Sequence, residues 1–544
     1  MALRRGKRSK AEEVKEWFKK SVTYEGEPYT MDLEQAAAVA DESKNAIVVA
    51  RAGSGKTRTI VAKVVYLVAK CGVRPEEIIA FVFNANAAAE INARLAKMMV
   101  NGKPIMDENI RIANTFHAFS RKIAYGARGE QEKYGEILAE KKDDFILAIV
   151  ARMAKDRRWG RRVRNFINAG EEKQMEELDL IRFSRMMSSF VNRAQQKFLG
   201  GREILSRYAR EYITTHDVSG REREFIEIGV QCYKRYHWFL LSEKGRGKLD
   251  GFQKYGTDFN LLVAWASKMI VGGNGETQRE LAKKKYILID EYQDFSQLFL
   301  MSVMAVRKIA NNAKLFVVGD DWQAINRFAG SDVEYFRNFE KYFPEDVKRF
   351  EICTNYRCNY GVVDVAKVFM QKSMQEKGHF KAKSWRAGKV LLVDPKKFEI
   401  FELIRKEKRA KDILILHRNN ETHLKVGSLA KLRKELRNEV AARKIMSGEE
   451  FDAKVRIMTM HKSKGLEAEV VIILEADEGV IPKTHPDTIL YSVFGETEKV
   501  ALDDQKRLFY VAMTRAKKRL YIIHKTDNQG FIKYLGKGVE WLEE

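Results

Sequence analysis

The stretch AIVVARAGSGKTRTIVAKVVYLVAK, Ala46 to Lys70, decides the fold. Ala46 to Ala50 is a short apolar run without alternation, the pattern of a strand buried on both faces, and the residues after Lys56 have helical spacing. Between them lies a glycine-rich turn, ARAGSGKT, whose backbone N–H groups can wrap a phosphate at a helix N-terminus. Within such a phosphate loop, Ala52, Gly53, Ser54 and Gly55 form the cradle, Lys56 reaches the β and γ phosphates, and Thr57 ligates magnesium. The usual pattern has glycine where this chain has Ala50, but Gly53 and Gly55 supply the flexible positions nearest the phosphates.

A phosphate loop needs a second half, an apolar strand that ends in acid. YILIDEYQD, Tyr286 to Asp294, provides it. Asp290 would hold Mg²⁺ through water and Glu291 would polarise the attacking water. Further strand candidates are IIAFVF (Ile78 to Phe83), KLFVV ahead of Gly319, DILILH (Asp412 to His417), VRIMTMH (Val455 to His461), VVIIL and LYIIH. Separated by helical patterns, they predict parallel α/β sheets, and they fall into two groups. Between Ser120 and Leu281 the pattern turns helical and basic, which reads as an insertion within the first α/β domain.

Bulk properties agree. A chain of 544 residues exceeds what one hydrophobic core supports, so several domains are expected. With 45% hydrophobic and 32% charged residues it can bury real cores. The N-terminus MALRRGKRSK lacks the apolar core of a secretory signal and no membrane-length apolar run occurs, so a cytoplasmic, nucleoid-associated protein is expected. Four cysteines without a second close pair argue against a zinc site. The net charge of +24 points to a polyanionic partner, nucleic acid first. The charge is concentrated in RMAKDRRWGRRVR, Arg152 to Arg164, where Arg157, Arg158, Arg161 and Arg162 flank Trp159.

Taken together, the motifs resemble superfamily 1 DNA helicases of the UvrD/Rep type, with the wording of the helicase IV branch. The matches are MDLEQAAAV (Met31 to Val39), ARAGSGKT, FVFNANAAAEINARL (Phe81 to Leu95), NTFHAFS (Asn114 to Ser120), DFNLL (Asp258 to Leu262), IDEYQDFS, VGDDWQAINRFAGS, TNYRC, ILILHRNN, MTMHKSKGLEAEVVII and RLFYVAMTRAKKRL. They run in the family's order from Met31 to about Leu520.

The resemblance implies an α/β fold of two RecA-like parallel-sheet P-loop domains, with a helical insertion in the first and a much reduced one in the second. The expected division is a basic N-terminal extension (1–27), a first RecA-like domain (28–120 and 282–350), a helical DNA-binding insertion (121–281), a second RecA-like domain (351–420 and 455–544) and a short helical remnant (421–454). ATP and Mg²⁺ are the implied cofactors. Gln35 would read the adenine edge, Arg58 and Tyr356 would sandwich the ring, and Glu467 would contact the ribose. Arg357 and Arg515 would reach the γ-phosphate from the second domain. Asp320 and Gln323 would face the nucleotide, Gln323 sensing the γ-phosphate, and Phe328 would stack on a base of single-stranded DNA. Thr115, Phe116, His117, Thr459 and His461 would line the DNA groove. Asn326 and Ala329 depart from a Tyr and an Arg common in the family. The implied activity is an ATP-dependent helicase or single-strand translocase, 3′ to 5′ and monomeric, acting on single-stranded and tailed duplex DNA with accessory repair or replication proteins. The alternative is an ATP-gated DNA-binding subunit of a repair or phage-defence complex.

Overall fold

The computed structural model describes the chain except for residues 1–7, 126–134, 138, 169–175, 198–201, 243, 246–247, 250, 253–254, 274, 312, 376–377, 422–426, 484–485, 526–529 and 544. The first seven residues of the basic N-terminus, parts of the expected helical insertion and part of the 421–454 segment therefore lie outside the described residues.

The phosphate-loop strand, Asn45–Ala50, sits inside a six-stranded, wholly parallel sheet. The order is Val347–Ile352, Asn45–Ala50, Lys314–Gly319, Tyr286–Ile289, Ile78–Val82, Ala113–Thr115. Every residue of Asn45–Ala50 is buried because both faces are covered. Strand alternation divides its side chains: Ala46, Val48 and Ala50 join a core with the helices Leu33–Ala40 and Lys56–Ala69, whereas Ile47 and Val49 join one with Phe116, Val263 and Leu298.

The second sheet is also six-stranded and parallel, ordered Val455–Thr459, Ile413–His417, Ala468–Ile473, Ala516–Ile523, Lys389–Val393, Glu540–Trp541. Leu414 and Leu416 face one core, Ile413 and Ile415 the other. On the second of these faces lies the helix Leu429–Ala442, which buries Leu429, Leu432, Leu436 and Val440, while Arg433 and Arg437 turn outward to Asp452, each at 2.9 Å. A second, shorter helix, Gly448–Lys454, adds Phe451 to the same core.

The expected division needs three adjustments. The described part of the expected basic N-terminal extension (1–27) folds onto the first domain: the helix Lys10–Ser21 packs Val14 and Phe18 into the first core, and Val22–Tyr24 pairs with Met98–Val100 in a small antiparallel sheet. The boundary at residue 350 cuts the edge strand Val347–Ile352. The helix Phe259–Gly272 packs Val263, Ala266 and Ile270 on the first sheet, so by packing the insertion ends near Asp258. Among the described residues the insertion contains helices 139–155, 160–167, 177–197, 202–215 and 220–241 and the parallel strand pair Gly135–Ile137 with Tyr255–Asp258. Its core also takes up Leu490, Tyr491 and Phe494 from the second half of the chain. Among the described residues no helix is long and apolar enough to cross a membrane.

Candidate active site and nucleic-acid interface

The loop between Ala50 and Lys56 turns back on itself through two left-handed residues, Gly53 at φ 67° and Gly55 at φ 85°. Glycine is needed at Gly53 for a second reason: a Cβ there would lie 2.7 Å from Asn355 Nδ2 and 2.8 Å from Arg357 Cβ. Ser54 N–H donates to Arg51 O (3.1 Å), and the Ser54 hydroxyl is buried without a partner. Thr57 Oγ1 donates to Asp290 Oδ2 at 3.1 Å, and Lys56 Nζ stands 3.9 Å from Glu291 Oε1. Residues 52–57 and the two acids therefore converge at the C-terminal ends of Asn45–Ala50 and Tyr286–Ile289, two strands with Lys314–Gly319 between them, where open α/β sheets bind ligands.

Asp290 and Glu291 share this site unequally. Burial, then the adjacent Glu291 charge, push the Asp290 pKa up. Against its own burial, Glu291 is held low by Lys56 first, then Lys464. Glu291 also takes a left-handed backbone, φ 51°, rare for a residue with a side chain. Gln293, given no role from the sequence, fixes it: its amide NH₂ donates to the Glu291 carboxylate while its carbonyl accepts from Asp320 N–H at 2.8 Å. The signal was present, an amide two residues beyond the acid in DEYQD.

The second domain closes the cleft through TNYRC. Asn355, also unassigned from sequence, donates to Ala52 O (2.7 Å) and accepts from the N–H groups of Arg357 (2.8 Å) and Cys358 (2.7 Å). Tyr356 N–H donates to Gly53 O (2.8 Å), and its hydroxyl bonds the Asp32 carboxylate. Arg357 Nε donates to Glu467 Oε2 (2.7 Å), and Lys517 pairs with the other oxygen (2.5 Å), so here Glu467 holds two cations. Arg515 is 1% exposed. Its donors go to Val511 O (2.8 Å), Leu466 O (3.1 Å) and Thr514 Oγ1 (3.3 Å), none of them anionic. Burial, then the charge of Arg357, lower its pKa to about 9.

At the base end, Arg58 and Tyr356 flank the mouth of the cleft, but Arg58 already stacks on Tyr29. Its guanidinium lies 4.2 Å from that ring, and Tyr29 donates to Arg58 O at 2.8 Å. Tyr29 had no signal of its own beyond being aromatic near MDLEQ. Both ends of the Gln35 amide are engaged, donating to Ser54 O (2.9 Å) and accepting from Asp32 N–H (3.2 Å). Here it braces the phosphate loop.

The segment after Lys314–Gly319 corrects one expectation. The Asp320 carboxylate does not face the nucleotide; it is buried and accepts from Arg51 (2.8 Å), Trp322 N–H (3.2 Å) and the Gln323 amide (2.6 Å). Lys464, overlooked in MTMHKSKG, reaches across from the second domain to pair with Asp294 and donate to Gln323 O (3.1 Å). Five residues beyond Gln323, Phe328 is 56% exposed and meets His461 edge-on at 5.5 Å. Burial, then Arg418 and Lys464, depress the His461 pKa to about 4, so the ring is neutral.

The remaining expected groove residues separate. Phe116 is core: 1% exposed, it stacks on Phe81 (4.6 Å) and Phe299 (4.2 Å), because the turn from Ala113–Thr115 into the next helix points position 116 inward. Thr115 Oγ1 accepts from Ala118 N–H (3.0 Å), and the largely buried Thr459 accepts from Lys462 N–H (3.4 Å). His117 Nε2 lies 2.7 Å from Glu136 Oε1. In the basic segment Arg157, Arg158 and Arg161 are exposed. Arg162, however, is held by Glu224 and Glu227, both at 2.5 Å, and lies over Trp159.

Comparison with known proteins agrees with this geometry. The UvrD/REP helicase N-terminal domain matches residues 31–344, and the UvrD-like helicase C-terminal domain matches residues 427–527. A probable DNA helicase of Mycoplasma pneumoniae is 27% identical over 505 residues, covering 91% of this chain and 83% of the relative. DNA helicase IV of Escherichia coli is 27% identical over 517 residues, covering 91% and 68%. The ATP-dependent DNA helicase PcrA of Leuconostoc citreum is 25% identical over 339 residues, covering 62% and 38%. With the first of these domains spanning more than half of the chain, this protein belongs to the UvrD/REP helicase family of ATP-hydrolysing enzymes.

Proposed function

We propose that the chain is an ATP-driven helicase and translocase that moves 3′ to 5′ along single-stranded DNA and opens tailed duplexes. One observation carries this reading. The segment from Gln323 to Phe328 starts at the nucleotide cleft, where Lys464 of the second domain grips it, and ends in an exposed ring beside His461. Such a segment can report the state of the cleft to a stacked base.

The residues present fit Mg²⁺-ATP. The Thr57 hydroxyl and the Asp290 carboxylate form a hard-oxygen pair suited to magnesium, and the buried Ser54 hydroxyl and the left-handed loop leave donors for phosphate oxygens. Magnesium supplies charge neutralisation at the phosphates. Lys56 binds phosphate oxygens, and Glu291, ionised and oriented by Gln293, orients a water and accepts its proton. Arg515 is a buried cation whose bonded partners are all neutral, and a phosphate anion brought by domain closure would complete it. Arg357 would exchange Glu467 for the same anion. Arg58 and Tyr356 would clamp the base, Glu467 would contact the ribose, and Gln323 would sense closure. Phe328, beside His461, stacks on the DNA, and Thr115, His117 and Thr459 would line its path.

Strand displacement on duplexes carrying a 3′ or a 5′ tail tests the reading. ATP-dependent opening of the 3′-tailed duplex alone is expected. Opening of the 5′-tailed duplex overturns the polarity. DNA-stimulated hydrolysis without opening either duplex would favour an ATP-gated binding subunit.

A further inference from the structure

Arg51, Asp320, Asp321 and Trp322 have no part in the chemistry above, yet they form one connected, buried contact beside the cleft. Arg51, the second residue of the phosphate-loop stretch, donates through Nη1 to Asp320 Oδ1 (2.8 Å) and Asp321 Oδ1 (2.6 Å), and its guanidinium lies 4.0 Å from the centre of the Trp322 ring system. Asp321 is held on its other oxygen by Arg337 (3.2 Å). The main chain of Arg51 is fixed as well: its N–H donates to Ile352 O (3.1 Å) and its carbonyl accepts from Ser54 N–H (3.1 Å), where the phosphate turn begins.

Trp322 belongs to the first domain by chain and to the second by packing. It has no exposed surface and lies in a core with Phe380, Met460, Leu508 and Tyr510. Tyr510 meets the indole edge-on at 5.4 Å and Phe380 at 6.4 Å, and a Cβ on Gly378 would come within 2.5 Å of it. An indole enclosed so closely cannot slide past its neighbours without moving them. Displacement of the helix Glu498–Met513, which carries Tyr510, must therefore press on Trp322, and through the stacked cation and its two carboxylates on the first residues of the phosphate loop.

We propose that Arg51 is a positioning residue and Trp322 a pivot, together forming the mechanical link through which DNA bound across the two domains sets the phosphate loop and accelerates hydrolysis. This rests on the helicase reading above and adds to it a route from the second domain to the loop that does not pass through the γ-phosphate contacts.

The test is a double-mutant cycle on DNA stimulation, the ratio of ATP turnover with saturating oligothymidylate to turnover without it. Arg51→Lys keeps a charge for the carboxylates but loses the flat face over the indole, and Trp322→Phe keeps an aromatic plug but shrinks it. Each substitution is expected to lower the ratio about tenfold while oligothymidylate affinity stays within about threefold. The double variant should be no worse than the weaker single one, since both break the same link. Asp321→Asn supplies a third variant on an outlying partner if Trp322→Phe does not fold. Unchanged ratios, losses that multiply in the double variant, or losses explained wholly by a raised KM for ATP or by weaker DNA binding overturn the link. A wild-type protein without DNA stimulation overturns the helicase reading itself, and the link with it.

Discussion

Glu291 shows how much one residue must satisfy. It occupies a left-handed backbone, faces Lys56 at 3.9 Å and is steadied by Gln293. Glu291→Gln keeps the shape and the phosphate ligands, so it should bind ATP nearly as wild type while turnover falls about 10²–10⁴-fold, the range for loss of a general base. Lys56→Ala should lose turnover and nucleotide capture together. Equilibrium nucleotide binding beside steady-state ATPase separates the two, and substantial DNA-stimulated hydrolysis by Glu291→Gln would contradict the assignment. His461 allows a test by pH. Its folded pKa lies below its ordinary value, so its contribution to stability is complete above about pH 6.5 and is lost as pH falls toward about 4. Thermal melts over that window should show a shallower acid loss for His461→Asn than for wild type. At this scale the sequence was legible where function sits in contiguous letters, as in GSGKT and DE. Asn355 and Lys464 act instead through partners 303 and 170 positions away, Ala52 and Asp294, which no local pattern displays. Phe116 misled for the opposite reason: its neighbours are polar, but the turn it occupies points inward.

Among elements, the long apolar strands were readable, and of the four edge strands only Val455–Thr459 was. Ala113–Thr115 has three residues, Glu540–Trp541 has two, and Val347–Ile352 carries Lys348, Arg349 and Glu351 on a largely exposed edge, the usual protection of a sheet margin. The central Lys389–Val393, KVLLV, was overlooked although apolar. The basic segment gives the test for this scale. Arg157, Arg158 and Arg161 are free to meet phosphates, whereas Arg162 is committed to Glu224 and Glu227. Neutralising the three exposed arginines should flatten the salt dependence of single-strand affinity by about 2 in log–log slope, from roughly 0.7 per lost contact. Arg162→Ala should lower the melting temperature with little change in slope. An unchanged slope in the triple variant would return that face to solvent.

For the whole molecule, the described part of the 421–454 segment is two short helices lying against the sheet, and the first insertion touches the second domain through Tyr491 and Phe494 and the Arg193–Glu496 pair (3.2 Å). Nothing in the 421–454 segment is large enough to form an independently folded regulatory domain. A single copy should therefore open duplex: in single-turnover unwinding with DNA in excess over protein, strand separation is expected, and its appearance only when protein outnumbers DNA would contradict this. In the proposed mechanism one segment, Gln323 to Phe328, converts hydrolysis into movement. The most direct measurement is the number of ATP molecules hydrolysed per base pair opened on a 3′-tailed duplex, wild type against Phe328→Ala. Base stacking on an aromatic is worth about 1–3 kcal/mol, so its loss should leave much of the ATPase while raising that ratio about fivefold or more. An unchanged ratio, with hydrolysis and opening falling together, would contradict the account.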